Sequence, residues 1–226
     1  MRIIIIGAVA AGTGAATKAR RNLPNAEIVI YEKDTTISYS GCGMPYFIKG
    51  EVKQAKSLAP RTPQFFKEKN NIDIKIAHEV LSIDPLKKEV VVKNLTNKET
   101  FIDYYDKLVI ATGARSLLPP IDGIGLPHVF SLRNINDMHA IKNHLDTHKI
   151  KSAAVIGAGF IGLELLEALT ALDVETTLIE RLEQVSPGLD EEMAMIVKMY
   201  LEEKSIAVFT GKTAVKITNE AVILDT

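Results

Sequence analysis

Short apolar runs separated by glycine turns and polar helices dominate the pattern of the chain. Arg2 leads into Ile3-Ile4-Ile5-Ile6, a β-branched run with no polar break, the pattern of a strand buried in a parallel sheet. Runs at 27–31, 107–111, 153–156 and 175–179 predict further strands, with 107–111 also buried. Helical patterns follow the glycine turns after the 2–6 and 153–156 runs, one Ala-rich and ending near residue 22, the other ending near residue 172. Residues 72–76 and 89–93 alternate apolar with polar, and 80–83 and 100–104 read as two more short strands. With turn-like stretches at 85–88 and 94–98, this predicts an antiparallel meander inserted into the α/β unit. A short helix is expected from Met44-Pro45, a second after Arg61-Thr62-Pro63, and others over 135–147 and 191–204. Short strands at 206–209, 214–217 and 221–224 close the chain.

Pro119, Pro120, Gly123, Gly125 and Pro127 fall within residues 115–134, which predicts a linker. The expected organisation is α/β with two Rossmann-like dinucleotide-binding domains: 1–114, a linker and connecting helix over 115–149, and 150–226.

Each domain opens with a glycine turn between strand and helix. The second is the fuller one: Gly157, Gly159 and Gly162 follow a strand, and Glu180 ends the next strand 18 residues beyond Gly162. Such a turn lets the backbone approach a pyrophosphate, places it on a helix N-terminus, and offers an acid to a ribose hydroxyl. The first turn runs Gly7-Ala8-Val9-Ala10-Ala11-Gly12, with Glu32 20 residues beyond Gly12. Its middle glycine is replaced by Val9, which weakens the generic motif. An ordinary strand–helix–strand unit is the alternative there.

Charge narrows the classes. The 27 basic and 28 acidic residues are interspersed, net −1, which offers no nucleic-acid or membrane patch. A mean hydropathy of +0.10 fits a water-soluble α/β protein. One cysteine in 226 residues excludes an internal disulfide and suits a reducing cytoplasm, the expected location. His144 and His148 are four apart on a helical pattern, but no third ligand accompanies them, so no metal site is expected.

That cysteine, Cys42, lies between the two glycine turns, flanked by Gly41 and Gly43 and followed by a helix start. A thiol at a helix N-terminus is a better nucleophile. A buried structural cysteine is the alternative. One thiol between two dinucleotide units suggests an electron path from nicotinamide through flavin to sulfur.

Taken together, the segments 7–12, 38–46, 105–114, 132–134 and 157–164 make the chain resemble the pyridine nucleotide–disulfide oxidoreductases. A single cysteine in place of a CxxC pair is similar to the branch of NADH oxidases, NADH peroxidases and coenzyme A-disulfide reductases. The resemblance implies FAD in the first domain, held by Gly7, Ala8, Val9, Ala10, Ala11 and Gly12, with Glu32 on the adenosine ribose and Lys33 beside it. Ser40, Val80, Ala111, Thr112, Gly113 and Arg133 would line the flavin site. The second domain would hold NADH through Gly157, Gly159, Ile161, Gly162, Glu164 and Glu180, with Phe160 as an aromatic gate. Glu180 should disfavour the 2′-phosphate of NADPH, though Arg181 beside it leaves NADPH open. Cys42 would be the redox-active sulfur.

Ala10 stands where the oxidases and peroxidases of the family have a histidine, so the resemblance is strongest to coenzyme A-disulfide reductases. Gly14, Lys18 and Arg21 share one helix face and, with Ser38, match family contacts to coenzyme A. A solvated face is the alternative for Lys18 and Arg21. The implied activity is FAD-dependent NAD(P)H:disulfide reduction through a mixed disulfide on Cys42. The alternatives are an NADH oxidase or peroxidase of the same family, or a nucleotide-binding fragment without turnover. Family members continue beyond this length with a C-terminal dimerisation domain and act as homodimers. The chain is therefore expected to be truncated relative to the family, with that domain absent.

Overall fold

The computed structural model describes residues 1–225. The elements run β1 (Arg2–Ile6), α1 (Ala10–Asn22), β2 (Glu27–Tyr31), α2 (Met44–Lys49), α3 (Pro63–Asn70), β3 (Asp73–Lys75), β4 (His78–Asp84), β5 (Glu89–Asn94), β6 (Thr100–Tyr104) and β7 (Lys107–Ile110). Then come α4 (Ile135–Thr147), β8 (Ser152–Ile156), α5 (Phe160–Thr170), β9 (Glu175–Ile179), α6 (Glu191–Glu203), β10 (Ala207–Phe209), β11 (Ala214–Ile217) and β12 (Val222–Leu224). They fall into two compact units. One contains Met1–Ser40 and Ala55–Arg115, the other Gly41–Gln54 and Ser116 onward.

The first unit is built on a parallel sheet of order β3-β2-β1-β7. The unbroken isoleucine run of β1 has a physical cause: both faces of its strand are covered. Ile3 and Ile5 join Ala8, Ala16, Ile28, Ile30 and Phe66 on one face. Ile4 packs with Val29, Tyr31, Val90 and Val92 on the other. The antiparallel meander β4-β5-β6 covers that second face. Full burial of each such side chain contributes about 1.5–3 kcal/mol.

One strand expectation is corrected. Residues 72–76 were expected in the meander, yet β3 pairs in parallel with β2 through Val29↔Asp73 and Ile30↔Ile74. Ile72 and Ile74 are buried while Asp73 and Lys75 point away from that core. An edge strand covered on one face alternates as a meander strand does, so periodicity cannot separate the two. α3 follows its expected start: Thr62 Oγ1 accepts from the Phe65 N–H at 3.2 Å, with Pro63 in the first turn.

Asp103 of β6 anchors the meander to the sheet. It accepts from the Tyr31 hydroxyl at 2.6 Å and from the Arg2 guanidinium at 2.7 Å. Burial opposes the Asp103 charge, yet Arg2, Tyr31 and the Tyr104 N–H outweigh it and hold the carboxyl below its usual range. Burial first, then Asp103, pushes the Tyr31 phenol up.

The second unit has a parallel sheet of order β10-β9-β8. Among the described residues β8 has one strand neighbour, β9, whereas β1 lies between β2 and β7. Val155, Ala158, Leu166, Leu178, Ala194 and Leu201 form part of the core. The β11–β12 hairpin packs Ala214 and Ile217 on Ile121 of the 115–134 segment. α4 starts with a reciprocal cap between Asn134 and Asp137. α2 packs on α4 and α5. That packing groups Gly41–Gln54 with the second unit, whereas the expected boundary after residue 114 keeps them with the first.

Candidate functional site

The two glycine turns share one hydrogen-bond plan. In the first, Gly7 has φ +102° and its N–H donates to Tyr31 O at 2.8 Å. The Ala8 N–H donates to Glu32 Oε2 at 2.7 Å, and the Asp34 N–H donates to Glu32 Oε1 at 2.9 Å. Ala8 O accepts from the Ser38 N–H at 2.8 Å, with Ser38 left-handed at φ 49°. In the second, Gly157 has φ +106° and donates to Ile179 O at 2.8 Å. The Ala158 and Leu182 N–H groups donate to Glu180 at 2.7 and 2.8 Å. Ala158 O accepts from the Ser186 N–H at 2.9 Å, with Ser186 at φ 46°.

Close backbone packing explains Gly7, Gly12 and Gly162, and a left-handed φ explains Gly157. A Cβ on Gly12 would lie 1.8 Å from Gly7 O, one on Gly162 2.1 Å from Gly157 O, and one on Gly7 2.2 Å from Ala111 O. Gly159 is different: a Cβ there would meet nothing within 4 Å. Gly159 is the extended N-cap of α5, and no packing within the protein crowds it, so the backbone there is open to close approach. This open backbone fits a dinucleotide pyrophosphate.

Glu32 and Glu180 are buried. The sequence assigns them to ribose hydroxyls, and the structure adds a second task, because each also ties its own turn to the strand end. Each carboxylate oxygen accepts from one backbone N–H and keeps lone-pair capacity for a hydroxyl. Sequence reasoning missed Ser186 and the backbone part of Ser38. The signal was present as a serine six residues after each acid.

In the first unit, the remaining expected residues scatter around this turn. Val9 is half-buried, and Ala10 and Ala11 are exposed at the start of α1. Ala111 abuts Gly7, followed by Thr112 and then Gly113 at φ +68°. Val80 packs on the meander face of the sheet, and the Ser40 N–H donates to Leu58 O. Lys33 is exposed, as are Gly14, Lys18 and Arg21 along α1.

In the second unit, Phe160, Ile161 and Glu164 are exposed at the start of α5. Phe160 is 76% exposed, unusual for so large an apolar side chain. The Arg133 N–H donates to Asp137 Oδ2 at 2.7 Å. Cys42 is exposed in a 3-10 turn, Gly41–Gly43, directly before α2. The buried structural alternative is thereby removed.

Lys49, at the end of α2, was not singled out by the sequence. The carboxylates of Glu51 and then Glu167 hold its ammonium above the usual lysine range. The His144 and His148 rings stack at 4.3 Å, and Phe130 lies 5.1 Å from His144. Burial first, then His148 and His128, pushes the His144 imidazole down. Among the described residues no three His, Cys, Asp or Glu side chains gather at a metal-binding spacing, and no helix is long and apolar enough to cross a membrane.

A sequence model described as "Pyridine nucleotide-disulphide oxidoreductase" matches residues 1–226. The chain is 39% identical over 223 residues to a coenzyme A disulfide reductase of Staphylococcus haemolyticus, covering 98% of this chain and 50% of that protein. It is 38% identical over 230 residues to an NADH oxidase of Methanocaldococcus jannaschii, covering 100% of this chain and 51% of that one. Its fold matches the NAD-dependent persulfide reductase of A. fulgidus with a TM-score of 0.94 at 36% identity, over 99% of this chain and 42% of that one. The chain thus spans about half the length of the curated relatives it matches.

Proposed function

Starting from the chain's membership of the pyridine nucleotide-disulphide oxidoreductase family, we propose that it carries the two dinucleotide sites and the thiol of an FAD-dependent NAD(P)H:disulfide oxidoreductase acting on coenzyme A disulfide. The observation that carries this reading is one exposed cysteine, Cys42, in a chain holding two copies of the same acid-tied glycine turn. Similarity to a coenzyme A disulfide reductase over nearly the whole chain supports the substrate class.

The Gly7–Gly12 turn and Glu32 would hold the pyrophosphate and ribose of FAD. The Gly157–Gly162 turn and Glu180 would hold NADH. Glu180 places a carboxylate where the extra phosphate of NADPH would bring like charge, so NADH is the preferred partner. Cys42, as thiolate, attacks one sulfur of the disulfide. It forms a mixed disulfide with one coenzyme A and expels the other as a thiolate. Without a second cysteine that adduct has no internal resolving thiol. FAD, when bound, supplies the two-electron relay by which NADH returns the mixed disulfide to two thiols. Lys18 and Arg21, exposed on one face of α1, offer cations to the coenzyme A phosphates.

A second reading, an NADH oxidase, has support in the relative of that name. Ala10 argues against it, standing where a histidine would assist oxygen or peroxide reduction. One experiment separates the readings. The purified chain is mixed with FAD, its visible spectrum is followed on adding NADH, and its intact mass is taken after coenzyme A disulfide or peroxide. The expected result is flavin uptake, bleaching by NADH, and a coenzyme A adduct on wild type that Cys42→Ser lacks. Rapid peroxide turnover without that adduct moves the chain to the oxidase reading. A chain that takes up neither cofactor nor adduct refutes both.

A further inference from the structure

Lys49 joins two elements that the proposed chemistry needs together. Its Nζ lies 2.9 Å from Glu51 Oε1 and 3.1 Å from Glu167 Oε1 on α5. It also sits 5.5 Å from the centre of the Tyr46 ring. Its side chain is only 16% exposed, although both carboxylates face solvent. Pro45, Tyr46 and Lys49 of α2 enclose a small cleft with Glu164, Glu167 and Ala168 of α5. On its other flank, α2 sets Phe47 edge-on to His139 of α4 at 5.6 Å.

α2 is six residues long, well short of the roughly 12–15 residues an isolated helix needs in water. Its position therefore depends on tertiary contacts: these, and the burial of Met44, Pro45 and Ile48. Cys42 stands two residues before α2, between glycines that have no side chains to fix it. α5 begins at the second glycine turn. A continuous path of packed elements thus runs from that turn through α5, Lys49 and α2 to the cysteine.

We propose that Lys49 is a positioning residue for Cys42, tying the cysteine turn to α5 so that a dinucleotide at the Gly157–Gly162 turn is sensed at the thiol; this rests on the nicotinamide reading above. Iodoacetamide labelling followed by intact mass reports Cys42 alone, since the chain has no other cysteine. Saturating NADH is expected to change the wild-type labelling rate about fivefold, the low end of couplings between linked sites. Lys49→Met and Glu167→Gln should each raise the NADH-free rate and abolish the NADH response. Lys49→Arg should restore both, and the double variant Lys49→Met/Glu167→Gln should add nothing further.

NADH binding, read by its own fluorescence, should stay at the wild-type level throughout. A general packing loss would not be repaired by arginine. Nor would it be reproduced by Glu167→Gln, an exposed site that stands in should Lys49→Met fail to fold. Wild-type labelling and a wild-type NADH response in both single variants overturn the proposal. If wild type binds no NADH, the nicotinamide reading falls instead. The NADH-free rates then decide: raised rates restored by arginine support the role of Lys49, and unchanged rates refute it.

Discussion

Gly12 and Gly14 sit two residues apart on α1 and obey different constraints. A Cβ at Gly12 would collide with Gly7 O, whereas one at Gly14 meets nothing within 4 Å. Gly12→Ala must therefore displace backbone and is expected to cost roughly 2–4 kcal/mol. Gly14→Ala improves helix propensity and should gain about 0.5–1 kcal/mol. Urea midpoints of the two variants test this, and equal midpoints would show that the helix–turn contact is not what Gly12 protects. At this scale the sequence is a partial guide. The glycine spacing marks both turns, but an acid at a strand end carries no sign of whether it meets a hydroxyl or a backbone N–H. Both partners ask only for an acceptor, so the bonds from Ala8 to Glu32 and from Ala158 to Glu180 emerge only in three dimensions.

Among the elements, the meander of the first unit is tied to the sheet by one carboxylate in addition to its apolar packing. Asp103 is held below its usual range despite burial, by Arg2, Tyr31 and Tyr104. A carboxylate depressed in the folded state stabilises above its unfolded value, near pH 3.9, and that contribution is lost as pH falls through the lower folded value. Asp103→Asn should thus cost roughly 1–3 kcal/mol at neutral pH. It should also flatten the stability–pH curve below about pH 4. Denaturation midpoints from pH 2 to 7 would show this, and a variant as acid-sensitive as wild type would place the acid-labile contact elsewhere. Strands and helices are legible in the chain because local period sets them, as β1, α1 and α4 illustrate. Partners are less so. β3 alternates like its meander neighbours yet pairs with β2, and α2 packs on α4 and α5, far along the chain.

The molecule as a whole repeats itself: Gly7, Ala8, Glu32 and Ser38 play the parts of Gly157, Ala158, Glu180 and Ser186. The repeat is legible from its glycines, but what surrounds each copy is not. Among the described residues β1 is flanked on both sides, and its counterpart β8 on one. The other outer strands of the two parallel sheets are guarded or brief: β3 carries Asp73 and Lys75, β7 carries Lys107, and β10 spans three residues. β8 reads Ser-Ala-Ala-Val-Ile, five residues with no charge. An uncharged flank of unpaired backbone is a template for another strand, so β8 is expected to limit how far this chain can be concentrated. Ala154 is exposed on it. Ala154→Lys should delay the onset of light scattering as protein concentration rises, while an identical onset would clear β8 of that role. The strand that organises the second unit is thus also the surface along which copies would begin to clump.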